Sequence, residues 1–187
     1  MKKLAFVVIG VLVTMVLLVV GCASEATPDI QPTSSFDVTQ GTQPGNQAPN
    51  FQLNNLEGEL VSLSDFRGGP VLLTFWATWC GYCRAEMPIV QQISDEWQSK
   101  GLTVLTVNLI DSRPAETPDN LASFMQSNGY SYTVLLDMNQ KVSKSYGITG
   151  TPTSFLIDKY GIIWDRTLGP YATKAVLEED IRRILPK

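Results

Sequence analysis

The feature that most constrains the fold is a run of apolar residues in the middle of the chain, Val71 to Phe75, interrupted only by Thr74. A strand with one solvated face alternates apolar and polar residues, whereas a nearly continuous apolar run is typical of a strand buried on both faces. A second run, Leu102 to Ile110, has the same character. Because buried strands need helices above and below them, the pattern predicts an α/β domain with a central sheet.

Segments between and after these strands carry helical signals. Val90, Ile93 and Trp97 recur at helical spacing. A later helix is predicted to begin at Thr117-Pro118-Asp119, which supplies a cap, a first-turn proline and an acid, and to end at Gly129. The other predicted elements are a hairpin over residues 51–63, a short strand over 134–136, a short helix over 141–146, two closing strands over 153–157 and 162–168, and a last helix over 177–185. This order predicts a mixed central sheet with helices on both faces.

Charge and composition exclude several functional classes. The chain has 14 Lys and Arg against 18 Asp and Glu, a net charge of −4, whereas a nucleic-acid-binding protein needs a basic face for phosphates. It has no His, which excludes a Ser-His-Asp triad, a Cys-His protease and a His-ligated metal. The chemistry must therefore come from Cys, carboxylates, Lys, Tyr or the backbone.

The N-terminus is typical of an export signal. Met1-Lys2-Lys3 precedes an uncharged apolar run from Leu4 to Val20, and Gly21-Cys22 follows. This order resembles a bacterial lipobox, in which the Cys becomes the acylated first residue of the mature protein. The alternative is an uncleaved membrane helix, although the run is shorter than the ~20 residues that span a bilayer. Both interpretations place the rest of the chain outside the cytoplasmic membrane.

These patterns predict three regions. Residues 1–21 form a lipoprotein-type signal peptide, residues 22–43 a flexible tether that begins with the lipidated Cys22, and residues 44–187 one domain. The tether is rich in Ser, Thr, Gln, Pro and Gly, and apolar residues are too sparse there to bury much surface. A loop packed on the domain is the alternative.

The chemistry is predicted at Cys80 and Cys83, which follow the buried strand and have two residues between them. Cys80 should lie at a helix N-terminus, where unpaired N–H groups and the helix dipole favour a thiolate. Such a pair can attack a substrate disulfide through Cys80 and resolve the mixed disulfide through Cys83. Three alternatives stay open, namely half of a zinc site, a structural disulfide and two inert thiols. The first lacks further ligands, and the second closes a loop too small to stabilise the fold.

The residues around this pair resemble the thioredoxin active site. The matching string is Phe75-Trp76-Ala77-Thr78-Trp79-Cys80-Gly81-Tyr82-Cys83, followed by Pro88, and Gly150-Thr151-Pro152-Thr153 is similar to the cis-proline loop. Residues 45–51 and 63–68 resemble the opening segment of the redoxin (AhpC/TSA) branch, which includes peroxiredoxins. With the membrane anchor, the combination is similar to TlpA/ResA-like thiol–disulfide oxidoreductases. The resemblance covers roughly residues 44 to 187 and implies a thioredoxin-like fold with an N-terminal β-hairpin extension.

The resemblance implies roles for the residues of the motif. Cys80 would be the exposed nucleophile and Cys83 the resolving thiol. Trp79, together with Gly81 and Tyr82, would belong to the surface that binds the substrate. For Trp79 the alternative is a core aromatic.

A second part of the substrate surface is implied by the downstream loop. Pro152 would be cis and would bring Thr151 against the disulfide, where its backbone could pair with an extended substrate segment. Only about 5–6% of X-Pro bonds are cis in general, so this expectation depends on the resemblance. Gly169 would lie on the same rim.

An acid near the cysteines is a further candidate. Thioredoxins carry a buried Asp six residues before the first Cys, where this chain has Thr74. Glu86, three residues after Cys83, matches an acid of the ResA-like branch instead. A carboxylate near a poorly solvated thiol can take its proton or raise its pKa by repulsion. We predict this catalytic role for Glu86; the alternative is a surface acid favoured by the helix dipole.

The resemblance implies exchange of electrons with protein thiols. The pattern with Glu86 favours a reductant of apo-cytochrome c or another exported thiol protein, supplied with electrons by a membrane-embedded thiol carrier. The alternatives are a general disulfide oxidant or isomerase, a thiol peroxidase, and a lipid-anchored binding domain with incidental cysteines. The peroxidase is disfavoured because peroxiredoxins have Thr or Ser at the position of Ala77 and Pro at the position of Leu73. No metal, other cofactor or nucleic acid is expected.

Overall fold

The computed structural model describes residues 39–110 and 116–185, in which a five-stranded sheet of order β5-β4-β3-β6-β7 lies beside a two-stranded hairpin, β1-β2. The strands are β1 Gln52–Asn54, β2 Leu60–Ser62, β3 Val71–Trp76, β4 Thr103–Asn108, β5 Thr133–Leu136, β6 Thr153–Ile157 and β7 Ile163–Leu168. The helices are α1 Gly81–Trp97, α2 Pro118–Asn128, α3 Lys141–Ser145 and α4 Lys174–Ile184, and Leu63–Phe66 and Gln98–Lys100 are short 3₁₀ turns.

Strand β3 lies in the middle of the sheet, parallel to β4 and antiparallel to β6. All six of its residues are buried, as the apolar run predicts. Leu72 and Trp76 belong to a core with residues of α1, α2 and α4, whereas Leu73 and Phe75 belong to a second core with residues of α3 and the hairpin region. The predicted mixed sheet with helices on both faces and an N-terminal hairpin is therefore confirmed.

Helix α2 begins and ends where the sequence predicts. Thr117 Oγ1 accepts a hydrogen bond from Asn120 N–H at 3.3 Å, and Pro118 occupies the first helical position. Gly129 ends the helix in the left-handed region, with φ 69°. This helix joins β4 to the parallel strand β5, as α1 joins β3 to the parallel strand β4. Both helices contribute to the same core, so they lie on one face of the sheet.

The chain before β3 contacts both edges of the sheet. Asn55, after β1, forms an antiparallel bridge with Leu135 of the edge strand β5. On the opposite edge, Ile163 N–H of β7 donates to the Asn46 carbonyl at 2.9 Å. The hairpin region and the segment before it therefore cover part of each edge.

The first described residues already take part in this packing. Gln47 N–H donates to the Thr39 carbonyl at 3.0 Å, and Gly41 N–H donates to the Gln47 carbonyl at 3.0 Å. The chain thus contacts the domain before the predicted boundary at residue 44. The signal peptide, Cys22 and the tether up to residue 38 lie outside the described residues and stay predictions. None of the helices within residues 39–110 and 116–185 has the length and apolar composition that crossing a bilayer requires.

Tyr146, which follows α3, connects the second core to the N-terminal segment. Its ring is fully buried and packs edge-on against Phe51 and Phe155. Its hydroxyl donates to the Pro49 carbonyl at 2.6 Å. This bond adds a side-chain contact to the backbone bonds, such as Ile163 N–H to Asn46, that hold the segment before the hairpin to the body of the domain.

Replacing Tyr146 by Phe should lower the free energy of unfolding by about 1–2 kcal/mol, because the Pro49 carbonyl loses its partner while the ring packing stays. Urea denaturation of the full-length protein in detergent would measure the loss. Tyr160→Phe, at an exposed position, is the matched control and should change stability by less than about 0.5 kcal/mol. Equal losses in the two variants would contradict the prediction.

Candidate functional site

The chain leaves β3 after Trp76 and turns through residues 77–80 into α1. Cys80 N–H donates to the Ala77 carbonyl at 3.1 Å, which closes the turn. Cys80 is the N-cap of α1, and its Sγ accepts a hydrogen bond from Cys83 N–H at 3.1 Å. A sulfur at this position is stabilised as a thiolate by the backbone donor and by the positive end of the helix dipole. Cys80 therefore lies at the helix N-terminus, as predicted.

Cys80 and Cys83 form a disulfide, with Cα atoms 5.2 Å apart. Cys80 keeps 6% of its surface exposed and Cys83 1%, so Cys80 is the more accessible of two largely buried residues. A substrate sulfur can reach the pair only from the Cys80 side. Within the described parts of the chain, no group of three or more Cys, Asp or Glu side chains is placed to hold a metal ion.

The loop before β6 lies against the disulfide. The Thr151–Pro152 peptide bond is cis, as the resemblance implied, and the Thr151 carbonyl oxygen lies 3.3 Å from Cys80 Sγ. Gly169 N–H donates to the Pro152 carbonyl at 2.9 Å, which places Gly169 on the same rim. Together with Leu168, these residues line an open groove, and Thr151 of its lining contacts Cys80 Sγ.

Exposed aromatic side chains flank the cysteines. Trp79 is 47% exposed and Tyr82 is 70% exposed, and Gly81 between the cysteines is also exposed. Trp79 is therefore not a core aromatic. Exposed apolar side chains that cluster around a reactive group mark a surface for a protein partner.

Glu86 lies one helical turn after Cys83 and is only 3% exposed. Its Oε1 accepts a hydrogen bond from Tyr171 N–H at 2.8 Å, so it is not a surface acid. Burial raises the pKa of Glu86 to about 7, although the Tyr171 hydrogen bond acts in the opposite direction. Because residues three apart on a helix are neighbours, with Cβ atoms about 5–6 Å apart, the carboxylate and the Cys83 sulfur share one face of α1.

The position where thioredoxins carry a buried Asp is filled by a neutral group. Thr74 is buried in β3, and its hydroxyl lies 3.0 Å from the Ser154 hydroxyl of β6. The sheet therefore carries a pair of mutually bonded hydroxyls at this position, and the buried carboxylate of Glu86 lies on the helix.

Two contacts of the site were not foreseen from the sequence. The buried Glu116 accepts hydrogen bonds from Thr78 N–H at 2.8 Å and from the Thr78 hydroxyl. Tyr171 supplies the N–H that holds Glu86. A single Glu before a helix and a Tyr after a strand carry no local signal for contacts with residues 38 and 85 positions away.

Known proteins are similar to this chain in sequence. Residues 44–166 match the AhpC/TSA family. The thiol-disulfide oxidoreductase ResA of Bacillus thuringiensis is 35% identical over 144 residues, which cover 77% of this chain and 80% of the relative.

Solved structures agree with the sequence relatives. A protein described as the thiol:disulfide interchange protein DsbE of Chlorobium tepidum superposes with a TM-score of 0.68 at 34% identity, covering 79% of this chain and 99% of that one. The pneumococcal exposed lipoprotein thioredoxin Etrx1 of Streptococcus pneumoniae gives a TM-score of 0.61 at 28% identity, covering 72% and 99%. The chain therefore belongs to the AhpC/TSA family and is a ResA-like thiol–disulfide oxidoreductase with a thioredoxin-like fold.

Proposed function

We propose that this protein is an extracytoplasmic, lipid-anchored reductant of protein disulfides, with Cys80 as the nucleophile and Cys83 as the resolving thiol. The observation that carries the proposal is the placement of Cys80 Sγ. It accepts a backbone hydrogen bond at the start of α1 and lies 3.3 Å from the Thr151 carbonyl. The sulfur is thus activated, and it adjoins a backbone edge that an extended chain can approach.

The reaction consists of two exchanges. In the reduced protein, the Cys80 thiolate attacks one sulfur of a substrate disulfide, and the other substrate sulfur leaves as a thiolate that takes up a proton. Cys83 then gives its proton to Glu86 and attacks Cys80 Sγ, which releases the second substrate thiol. Two electrons pass to the substrate, and the Cys80–Cys83 disulfide forms.

Substrate binding uses the groove next to the disulfide. An extended segment pairs with the backbone at Thr151, beside cis-Pro152, in the manner of a strand added to an edge. Trp79 and Tyr82 contact the flanking side chains of the substrate, and Gly81 leaves the approach to Cys80 open because it has no side chain. The exposure of Trp79 and Tyr82 supports this arrangement.

For the physiological reaction, we propose apo-cytochrome c, or another exported protein with a Cys pair, as the substrate. A membrane-embedded thiol carrier would return electrons to the protein after each turnover. The ResA-like pattern with Glu86 supports this direction. The opposite direction, a general oxidant or isomerase, is the second candidate, since the hydrogen bond to Cys80 Sγ stabilises the thiolate and hence the dithiol form.

Cys83→Ala tests the direction of electron flow. A lone Cys80 thiol has no disulfide to donate, so it forms an adduct only by attacking a disulfide of the substrate. In membranes of cells that make the full-length variant, we expect a mixed disulfide on Cys80 with an exported protein that carries a Cys pair, identified by mass spectrometry. Cys80→Ala, which lacks the nucleophile, is the control and should trap nothing.

The reduction potential of the Cys80–Cys83 pair is a second test of the direction of electron flow. Values near that of thioredoxin, about −270 mV, agree with a reductant, whereas a value near that of DsbA, about −120 mV, belongs to an oxidant. The oxidant assignment would replace ours if the potential lay near the second value and Cys83→Ala gave no adduct.

Glu86→Gln should remove the base that accepts the Cys83 proton. In the wild type, resolution of the mixed disulfide should accelerate as the pH rises through about 7, because only the ionised carboxylate accepts a proton. The variant should lose this rise and be slower by about 100-fold at pH 8. Stopped-flow tryptophan fluorescence would follow the step, since Trp79 adjoins Cys80. Asp95→Asn, an exposed acid on the same helix, is the control.

Stability measurements separate this chemical role from misfolding. The pKa of Glu86 is raised from 4.5 to about 7 in the folded chain. The folded protein therefore loses stability as the pH rises from 4.5 to about 7. Glu86→Gln should therefore match the wild type near pH 4 and exceed its stability at pH 8, by at most about 3 kcal/mol. A variant that resolves the mixed disulfide with the wild-type pH profile would show that Glu86 is only structural.

The lipid anchor is proposed at Cys22. The order Gly21-Cys22 after an apolar run supports it, as does the description of the pneumococcal relative as an exposed lipoprotein. We expect cells to incorporate labelled fatty acid into the wild type and not into Cys22→Ser. A mature wild-type protein that carries no fatty acid, or that keeps Met1, would contradict the proposal.

A further inference from the structure

Glu116 connects the segment before α2 to the turn that carries the nucleophile. Its Oε1 accepts from Thr78 N–H at 2.8 Å and also from the Thr78 hydroxyl. Thr78 lies two residues before Cys80, inside the turn that Cys80 N–H closes on Ala77. A single carboxylate oxygen thus holds the middle of this turn from outside it.

The contact is costly for the fold. Glu116 is buried, and within the described parts of the chain none of the ion pairs includes it. Its other oxygen, Oε2, is also buried and has no hydrogen-bond partner among those residues. Burying a carboxylate with one oxygen unsatisfied costs free energy that an apolar residue would not. Costly local features of this kind are typical of functional sites.

The neighbouring structure explains what the contact can achieve. The turn is fixed at one end by β3, whose residues are all buried, and at the other by the N-cap of α1. Between these ends lie Thr78 and Trp79, which is 47% exposed. Without a partner for Thr78 N–H, this stretch could rotate and move the Cys80 sulfur relative to the Thr151 carbonyl.

We propose that Glu116 is a positioning residue for thiol–disulfide exchange, which holds the turn of residues 77–80 through Thr78 and thereby sets the direction from which Cys80 attacks. The proposal rests on the proposed role of Cys80 as the nucleophile. It assigns to the β4–α2 connection, which contains neither cysteine, a part in the reaction.

The test compares rates with stabilities in the full-length protein in detergent. The reduced protein reacts with insulin, a protein disulfide substrate, at pH 9, which is above the pKa of about 8.5 of a free cysteine. Glu116→Ala should lower the rate by about tenfold, within the range that a misplacement of roughly 1 Å produces. Glu116→Gln keeps an oxygen that accepts from Thr78 N–H, so it should recover most of the rate.

Asp137→Asn provides a matched control. Asp137 is also a buried carboxylate that accepts two backbone hydrogen bonds, from Val142 N–H at 3.2 Å and Ser143 N–H at 2.7 Å, but it caps α3. It should lower the melting temperature and leave the rate per folded molecule unchanged.

The outcomes are distinct. Loss of rate in Glu116→Ala, recovery in Glu116→Gln and a wild-type rate in Asp137→Asn support positioning. A folded Glu116→Ala protein with the wild-type rate overturns it. An equal loss of rate in Asp137→Asn also overturns it, because the loss would then come from lower stability and not from positioning. If mass spectrometry finds that wild-type Cys80 does not react with insulin, the proposed nucleophile fails, whatever Glu116 does.

Discussion

The rest of the structure depends on the burial of strand β3 between two cores. Its side chains pack alternately against α1, α2 and α4 on one face and against α3 and the hairpin region on the other. A strand held in this way cannot slide or tilt without opening both cores. Its carboxyl end is therefore a rigid support, and the first residues beyond it turn directly into α1. The cysteines gain a fixed geometry from packing that takes no part in their chemistry.

The acid near the cysteines lies on a helix and not on the sheet. Strand β3 has no charged residue, and the hydroxyls of Thr74 and Ser154 lie within hydrogen-bonding distance of each other. Glu86 is held by a backbone N–H from the loop before α4 and is desolvated by the core around it. Two opposed effects set its proton affinity, since burial favours the neutral acid and the hydrogen bond favours the carboxylate. Movement of the loop that contains Tyr171 would shift this balance directly.

Much of the fold could be predicted because its signals are local. The apolar run of β3, the cap at Thr117 and the glycine at Gly129 each determine the structure within a few residues of themselves. The cis bond before Pro152 was expected only from the family resemblance, since local sequence rarely specifies one. The contacts that could not be predicted join residues far apart in the chain, namely Tyr146 with Pro49, Tyr171 with Glu86 and Glu116 with Thr78. A polar residue near a helix start suggests solvent exposure until the tertiary structure covers it.

The N-terminal segment and the hairpin limit the access of other chains to the edges of the sheet. An unprotected edge strand offers a row of free backbone groups, on which a second molecule can build a continuous intermolecular sheet. Here Asn55 occupies part of one edge through Leu135, and Asn46 occupies part of the other through Ile163. Neither edge can therefore be extended along its whole length by a copy of the same protein. The same packing that anchors this segment thus works against aggregation by strand pairing.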